Sequence, residues 1–190
     1  VTLVGVLSAD ISLYVENFRA AERTFHLLTQ VVGRSGRGEK PGRAVVQTYT
    51  PMNDVIQSAC AQDYEQFYNQ EFLYRKMMGY PPVSNMLAVQ IYAGEEAEGA
   101  HIAGLLAKEA ERIGAEQKVS PDDTSLKIQI IGPAPAGIGK INDIYRFVFY
   151  IKHQSYDLLI AEKDGLESFA GNLDNRHFNI QFDFNPINGL

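Results

Sequence analysis

The chain has 190 residues, 45% of them hydrophobic, which is enough for one domain or two small ones to fold without disulfides or metals. Its formal net charge of -6 argues against a protein that holds nucleic acid by bulk electrostatics, since such domains usually carry a basic surface. Cys60 is the only cysteine, which excludes an internal disulfide and a multi-thiolate zinc site within the sequence. A reducing, cytoplasmic location fits this composition best.

The charge is unevenly distributed, and the first quarter is its basic part. Of the 17 Lys and Arg and the 23 Asp and Glu, residues 1–50 carry 6 and 4, which leaves 11 and 19 for the other 140 residues. The apolar start, residues 1–7, is far shorter than the roughly 20 residues that cross a bilayer, so we expect no membrane segment. Because the sequence begins inside an apolar run without a methionine, we expect it to be a fragment of a longer protein.

A strand, a helix and a second strand are predicted in residues 1–52. Residues 2–7 are short, aliphatic and β-branched, which is typical of a buried strand in a parallel sheet. From Asn17 onward, apolar residues recur at spacings of three and four, which predicts a helix that ends at Gly33. Residues 44–49 form a second apolar run after a Lys-Pro-Gly turn. This order is one βαβ step of an α/β sheet.

A helical connector is predicted over residues 53–83. Asn53 and Asp63 suit helix starts, and the prolines at 81 and 82 stop the helix near Gly79. The aromatic residues that repeat at helical spacing are Tyr64, Phe67, Tyr68 and Phe72. Such a stripe could stack on bases, but we interpret it as packing residues that fix the connector to the following sheet.

Residues 84–190 are predicted to form an α+β domain. Alternating or continuous apolar runs indicate strands at residues 86–92, 126–131, 145–151 and 178–184. Helical patterns cover residues 95–117 and 156–172, and the Ser-Pro-Asp-Asp run at 120–123 indicates a loop. The order strand, helix, strand, strand, helix, strand is that of a split-βαβ, ferredoxin-like sandwich.

The most informative motif is Gln-Val-Val-Gly-Arg-Ser-Gly-Arg at residues 30–37, where the first helix gives way to a glycine-rich turn. While the helix lasts, Gln30, Arg34 and Arg37 project to one side, so that two guanidiniums and an amide converge. The glycines between them carry no Cβ and allow close approach of a bulky anion. The alternative is an ordinary helix C-cap with solvated arginines. The length of the string and its βαβ context favour the anion site.

This string resembles motif VI of superfamily-2 helicases, and its flanks resemble the PriA-type primosomal helicases in particular. The flanks that carry the likeness are residues 17–48 (NFRAAERTFHLLTQVVGRSGRGEKPGRAVVQT), 71–83 (EFLYRKMMGYPPV), 131–136 (IGPAPA), 145–152 (YRFVFYIK) and 182–186 (FDFNP). The matches keep their order over nearly the whole chain. The resemblance therefore predicts three parts: the end of the second, RecA-like motor lobe in residues 1–52, the connector in 53–83, and the C-terminal domain in 84–190.

The family implies roles for the motif. Arg37 matches the arginine finger that reaches ATP on the preceding lobe, Arg34 its companion, and Gln30 the residue that senses the γ-phosphate. The family's phosphate-binding lysine loop, magnesium motif and paired zinc-binding cysteines have no counterpart here, so ATP and Mg²⁺ would be bound mainly, and zinc entirely, by other parts of the full-length protein. We expect no ATPase activity from this chain alone, because an arginine finger without a nucleotide cradle has nothing to act upon.

The resemblance also implies partners: forked or single-stranded DNA, single-strand-binding protein and primosome loader proteins. Lys140, Tyr145 and Arg146 are the candidate DNA contacts, although an ordinary long hairpin with two solvated cations is the alternative reading. No metal site is expected from the four scattered histidines. Two rival functions are a RecG-like fork helicase, whose motif VI has the same form, and a non-enzymatic DNA- or protein-binding module.

Overall fold

The computed structural model describes residues 2–15, 17–35, 42–116, 128–173 and 177–187. The chain divides into two compact units, Val1–Tyr74 and Arg75–Leu190. The division falls inside the helix Tyr64–Met78, which belongs to the predicted connector of residues 53–83. The predicted boundaries at residues 52 and 83 stay predictions, and each unit is described by itself.

The first unit contains a parallel pair of strands. Its elements are β1 (Leu3–Val6), α1 (Asp10–Leu13), α2 (Ala20–Val32), β2 (Arg43–Val46), α3 (Asp54–Ala61) and the larger part of α4 (Tyr64–Met78). β1 and β2 pair in parallel from Leu3 opposite Arg43 to Val6 opposite Val46. The predicted βαβ order is thus present, with α2 as its helix.

One face of this small sheet packs on the helices and the other is open. Val6 and Val46 contact a core whose fully buried side chains are Ala9, Phe25, Leu28, Ile56, Ala59 and Phe67. On the opposite face, Leu3 is 60% and Val45 48% exposed. Parallel sheets are normally covered on both faces, so the open face is unusual for such a pair.

Residues 53–79, which the sequence predicts to be helical, contain two helices, α3 and α4. Gln62 adopts a left-handed conformation (φ 55°, ψ 30°) that ends α3. Asp63 then accepts a hydrogen bond of 2.9 Å from the N–H of Gln66 and starts α4. Asn53 caps α3 in the same way, accepting from the N–H of Val55 at 3.0 Å. Both residues selected as helix starts therefore have that role.

The aromatic stripe of α4 is only partly a packing feature. Phe67 is 5% exposed and stacks on Phe25 of α2, with ring centroids 4.2 Å apart and planes at 12°. Tyr64, Tyr68 and Phe72 are 56%, 49% and 39% exposed. The interpretation of the whole stripe as core is therefore wrong: Phe67 alone is buried, and it contacts α2 of the first unit.

The second unit is a four-stranded antiparallel sheet with two helices. Its elements are β3 (Asn85–Ala93), α5 (Glu96–Glu116), β4 (Gln129–Ile141), β5 (Ile144–His153), α6 (Tyr156–Gly171) and β6 (Phe178–Phe184). The strand order in the sheet is β4-β5-β3-β6, with every neighbouring pair antiparallel. This is the predicted split-βαβ order.

The core of the second unit lies between the sheet and the two helices. The large apolar side chains that are completely buried in it are Leu87, Val89, Ile91, Leu106, Phe149, Ile151, Leu159 and Leu166. Gly99 lets α5 approach β5 closely, because a Cβ at this position would lie 2.8 Å from a ring carbon of Phe147. On the other face of the sheet, the Lys152 ammonium donates to the carbonyl of Met78 at 2.8 Å and lies 4.0 Å above the Tyr80 ring. Burial lowers the pKa of this lysine.

β4 is longer than the sequence indicated. The strand predicted to end at residue 131 continues to Ile141, and a two-residue turn at Asn142 and Asp143, both with positive φ, leads into β5. Residues 132–141 are therefore one arm of a long hairpin with β5. The loop predicted at 120–123 lies outside the described residues. Among the helices that the structure describes, none combines the length and apolarity needed to cross a membrane.

Candidate functional site

The C-terminal end of α2 positions two of the three motif residues. After Val32 the chain continues in a tightened turn, in which the N–H of Gly33 donates to Thr29 O at 2.9 Å and the N–H of Arg34 to Val31 O at 3.2 Å. The N–H of Ser35 donates to Val32 O at 3.1 Å, and its hydroxyl donates to the same carbonyl at 2.8 Å. Arg34 is thus carried on a hydrogen-bonded extension of the helix rather than on a free loop.

Gln30 and Arg34 line one open depression of about 540 Å³ on the surface of the first unit. The other lining residues are His26, Thr29, Gly33 and Gln62. The side chains comprise one permanent cation, two amides, an imidazole and a hydroxyl, and none of the described lining residues carries a carboxylate. Such a set binds an anion with several oxygen atoms, because guanidinium and amide groups donate in directions that match them.

Glycine suits position 33 because the space around it is limited, and not because its backbone conformation is unusual. Its φ of -68° is open to any residue. A Cβ there would lie 3.2 Å from Thr29 O and 3.6 Å from Gln62 Nε2. A side chain at this position would crowd the depression between Gln30 and Arg34, which explains why glycine suits it.

Three lining residues, His26, Thr29 and Gln62, were not predicted from the sequence. His26 lies one helical turn before Gln30, on the same side of α2. Gln62 comes from the end of α3, where its left-handed backbone conformation ends the helix beside the depression. Asp63 was the available signal, since a helix start at 63 requires a non-helical residue just before it.

Arg37, the third motif residue, lies outside the described residues. The same is true of the glycines at positions 36 and 38. Its predicted role as arginine finger stays a prediction.

Asp10, the first residue of α1, has a structural role in the region beyond β1 where α/β sheets often place ligands. Its carboxylate accepts hydrogen bonds from the hydroxyls of Thr48 and Thr50, each at 2.8 Å, and from the N–H of Tyr49 at 3.0 Å. Burial alone would raise the pKa of Asp10, but these three donors together lower it below its ordinary value. Asp10 thus joins the start of α1 to the chain beyond β2.

The three candidate DNA contacts of the second unit come together at the tip of the β4–β5 hairpin. Lys140 pairs in the ladder with Tyr145, and its ammonium lies 4.6 Å from the centroid of that ring. It also forms an ion pair of 3.0 Å with Asp143, which raises the pKa of Lys140. Arg146 donates to Ile138 O at 3.4 Å and lies 5.7 Å from the Tyr92 ring. An exposed lysine, a half-buried arginine and an aromatic ring therefore lie together near the turn of the β4–β5 hairpin.

No group of three or more His, Cys, Asp or Glu side chains within the described ranges is arranged to hold a metal ion. Cys60 is exposed, and partial burial raises the pKa of its thiol.

Comparison with known proteins gives a consistent result. Residues 76–187 match the family model described as primosomal protein N C-terminal domain. The chain is 40% identical over 188 residues to the replication restart protein PriA of Bacillus subtilis. The matched region is 98% of this chain and 22% of that protein. It is 38% identical to the PriA protein of Chlamydia trachomatis and 37% identical to that of Synechocystis, in both cases over 170 residues. These matches cover 90% of this chain, 21% of the Chlamydia protein and 19% of the Synechocystis protein. The chain thus spans about a fifth of the length of the curated relatives it matches.

Proposed function

Because the chain belongs to the replication restart protein PriA family, we propose that it is part of an ATP-dependent DNA helicase that acts at stalled replication forks and reloads the primosome. The relatives named above carry the words replication restart in their own names. In this proposal the chain contributes motif VI and the C-terminal domain. The cytoplasm is the location that such a function requires.

The first unit fits the end of a RecA-like motor lobe. Its strands β1 and β2 are parallel, and parallel pairs occur almost only in larger sheets that are covered on both faces. Here one face carries exposed aliphatic side chains, including Leu3 and Val45. An α/β lobe would cover this face with further elements, and this supports the assignment.

The observation that carries the proposal is the depression at the end of α2. Gln30 and Arg34 line it together, and their guanidinium and amide groups are donors of the kind that a phosphate-facing site requires. In the proposed mechanism, Arg34 and Arg37 stabilise the negative charge that develops on the transferred phosphoryl oxygens, and Gln30 contacts the γ-phosphate. The nucleotide itself is held by the preceding lobe of the full-length protein.

In this proposal, the cofactors are bound by other parts of the full-length protein. ATP and Mg²⁺ are bound mainly outside this chain, by the lobe that carries the phosphate-binding lysine, and zinc is bound by cysteine pairs elsewhere in the full-length protein. The chain by itself then hydrolyses no ATP, since charge-stabilising arginines do not replace a nucleotide site.

The hairpin tip is the proposed DNA contact of the second unit. Lys140 and Arg146 supply phosphate contacts, and Tyr145 supplies a ring on which an unpaired base stacks. Forked or single-stranded DNA is the proposed nucleic-acid partner, with single-strand-binding protein and primosome loader proteins as the proposed protein partners. Two cations support only a weak, local contact on a chain with a net charge of -6.

The experiment that tests the proposed function compares fork binding, ATP hydrolysis and unwinding by the full-length protein and its Arg37→Ala variant. We expect hydrolysis and unwinding to fall by about a thousandfold or more, the range typical of arginine fingers, while the affinity for forked DNA stays within about twofold. Equal loss of binding and hydrolysis would assign a folding role to the residue. ATP turnover by the isolated 190-residue chain would contradict the proposal that the nucleotide is held by the preceding lobe of the full-length protein.

A further inference from the structure

Gln62 connects the depression at the end of α2 with the junction between two other helices. Among the described residues of the lining, it alone comes from outside α2 and its extension. It ends α3, and Asp63, the residue that starts α4, follows it directly. The Nε2 atom of Gln62 lies close to the turn that carries Arg34, because a Cβ at Gly33 would be 3.6 Å from it. A ligand in the depression can therefore reach both α2 and the α3–α4 junction.

The backbone of Gln62 has a conformation that a residue with a Cβ rarely adopts. Its φ of 55° and ψ of 30° lie in the left-handed region. Its N–H donates to Ala59 O at 3.1 Å and the N–H of Asp63 donates to Ser58 O at 2.9 Å, which fixes the end of α3. Glycine adopts this conformation without steric cost, so the backbone alone would favour glycine at position 62.

The side chain of Gln62 is a donor that the described part of the protein does not use. Other residues with positive φ include Asn142, Asp143 and Asn185, and these residue types are the ones that tolerate the left-handed region. Glutamine is not favoured there in the same way, and within the described ranges its amide forms no hydrogen bond. A strained backbone that carries an unused donor into a surface depression is typical of a ligand-binding position.

The chemistry of the lining indicates what this amide binds. Gln30 and Arg34 provide further donors from α2 and its extension. An amide N–H donates to phosphate oxygens, and such a bond is stronger than one to a neutral acceptor because the oxygen is charged. We propose that Gln62 is a nucleotide-binding residue outside motif VI, whose amide donates to a phosphate oxygen and so includes the α3–α4 junction in the nucleotide site. Since the proposed function places the nucleotide at this depression, the role of Gln62 rests on it.

A contact of this kind makes the junction sensitive to the nucleotide. Bound phosphate holds Gln62, and with it the hydrogen bonds that end α3, so that local opening of the junction becomes less frequent. The N–H groups that report this opening are those of Gln62, Asp63 and Phe67, which donate to the carbonyls of Ala59, Ser58 and Asp63.

The first test is DNA-stimulated ATP hydrolysis by the full-length protein with Gln62→Gly. Because glycine relieves the backbone, this variant should unfold at the wild-type temperature or above it, while kcat/KM for ATP falls by at least about tenfold. Arg34→Ala, measured in parallel, tests the proposed function itself. A wild-type kcat/KM in Gln62→Gly beside a large loss in Arg34→Ala would overturn the role of Gln62 alone, and wild-type values in both would overturn the proposed function as well.

A pair of charged substitutions separates a direct contact from a structural role. Gln62→Lys keeps a donor, so kcat/KM should stay within about threefold of the wild type, whereas Gln62→Glu places a like charge beside phosphate and should lose about a hundredfold. Gln66, an exposed residue of α4 outside the described lining, takes the same two substitutions as the control, and both should behave like the wild type. Equal effects of the two substitutions at position 62, or a loss in Gln66→Glu as large as in Gln62→Glu, would overturn the contact.

Hydrogen exchange of the peptide that spans residues 57–67 gives a readout that does not depend on hydrolysis. With a saturating non-hydrolysable ATP analogue on the full-length protein, exchange of this peptide in the wild type should slow by at least about threefold. In Gln62→Gly the analogue should leave exchange unchanged. Unchanged exchange in the wild type would contradict the inclusion of the junction in the site, and equal slowing in both proteins would assign it to another contact.

Discussion

Asp10 and Thr50 are 40 residues apart in the chain and are joined by a hydrogen bond of 2.8 Å between the Thr50 hydroxyl and the Asp10 carboxylate. Together with the bonds from the Thr48 hydroxyl and the Tyr49 N–H, it joins the start of α1 to the residues that follow β2.

We predict that Asp10→Asn destabilises the first unit, because an amide cannot accept from all three donors that the carboxylate satisfies. The lowered pKa of Asp10 means that its contribution is present above the ordinary carboxyl pKa and is lost as the pH falls through the folded-state pKa. Hydrogen exchange of the β1 and β2 amides measures the change. The exposed Glu65→Gln serves as control, and equal exchange in the two variants would contradict the structural role of Asp10.

Glu162 is predicted to make the second unit less stable as the pH rises. It is fully buried on α6, and neither carboxyl oxygen has a hydrogen-bond partner. Desolvation, with a smaller effect of Glu109, raises its pKa to about 7. The raised pKa means that the stability is fully present below pH 4.5, the ordinary value, and is lost as the pH rises through 7.

The free energy of unfolding of the second unit should fall by about 3 kcal/mol between pH 4.5 and pH 7. Unfolding in urea at several pH values, followed by exchange of amides in the four-stranded sheet, measures it. Glu162→Gln should remove most of the dependence, while the exposed Glu111→Gln should keep it. An unchanged slope in Glu162→Gln would show that the carboxyl is ionised in the folded protein.

Two glycines of the same helix are predicted to respond oppositely to alanine. A Cβ at Gly99 would lie 2.8 Å from the Phe147 ring, so Gly99→Ala should cost about 1–3 kcal/mol of stability. Gly104 has open space, and Gly104→Ala should add about 0.5–1 kcal/mol through helix propensity. Thermal unfolding of both variants tests this, and a stabilised Gly99→Ala would place α5 farther from β5.

The aromatic residues of α4 give a similar contrast. Phe67→Ala removes a buried ring stacked on Phe25 and should cost about 3–5 kcal/mol in the first unit. Tyr68→Ala removes a ring that is half exposed and should cost less than about 1 kcal/mol. Similar losses in both variants would contradict the packing of α4 through Phe67.

Most elements of the fold were predictable because their patterns are local. The alternation at residues 178–184 corresponds to β6 without an error at either end, and the apolar periodicity located α2 and α5 to within a few residues. The βαβ and split-βαβ orders followed from the sequence of these elements. Composition and spacing were sufficient there, since each element buries one face.

The features that were missed depend on contacts between distant residues or on single backbone angles. The left-handed conformation of Gln62 is one such angle, and no glycine or asparagine marks it in the sequence. The exposure of Tyr64 and Tyr68 follows from which neighbours cover α4, which helical spacing cannot reveal. For the site, the motif identified Gln30 and Arg34, whereas His26 and Gln62 became visible only through the shared depression.

The most direct measurement of the central claim is DNA-stimulated ATP hydrolysis by the full-length protein with Arg34→Ala, compared with Arg112→Ala, an exposed arginine of α5 that lies outside the depression. If the guanidinium at the end of α2 faces the bound nucleotide, Arg34→Ala should lower hydrolysis by at least about a hundredfold with little change in DNA affinity, and Arg112→Ala should behave like the wild type. Hydrolysis at the wild-type rate in Arg34→Ala would contradict the assignment of the depression as a nucleotide-facing site.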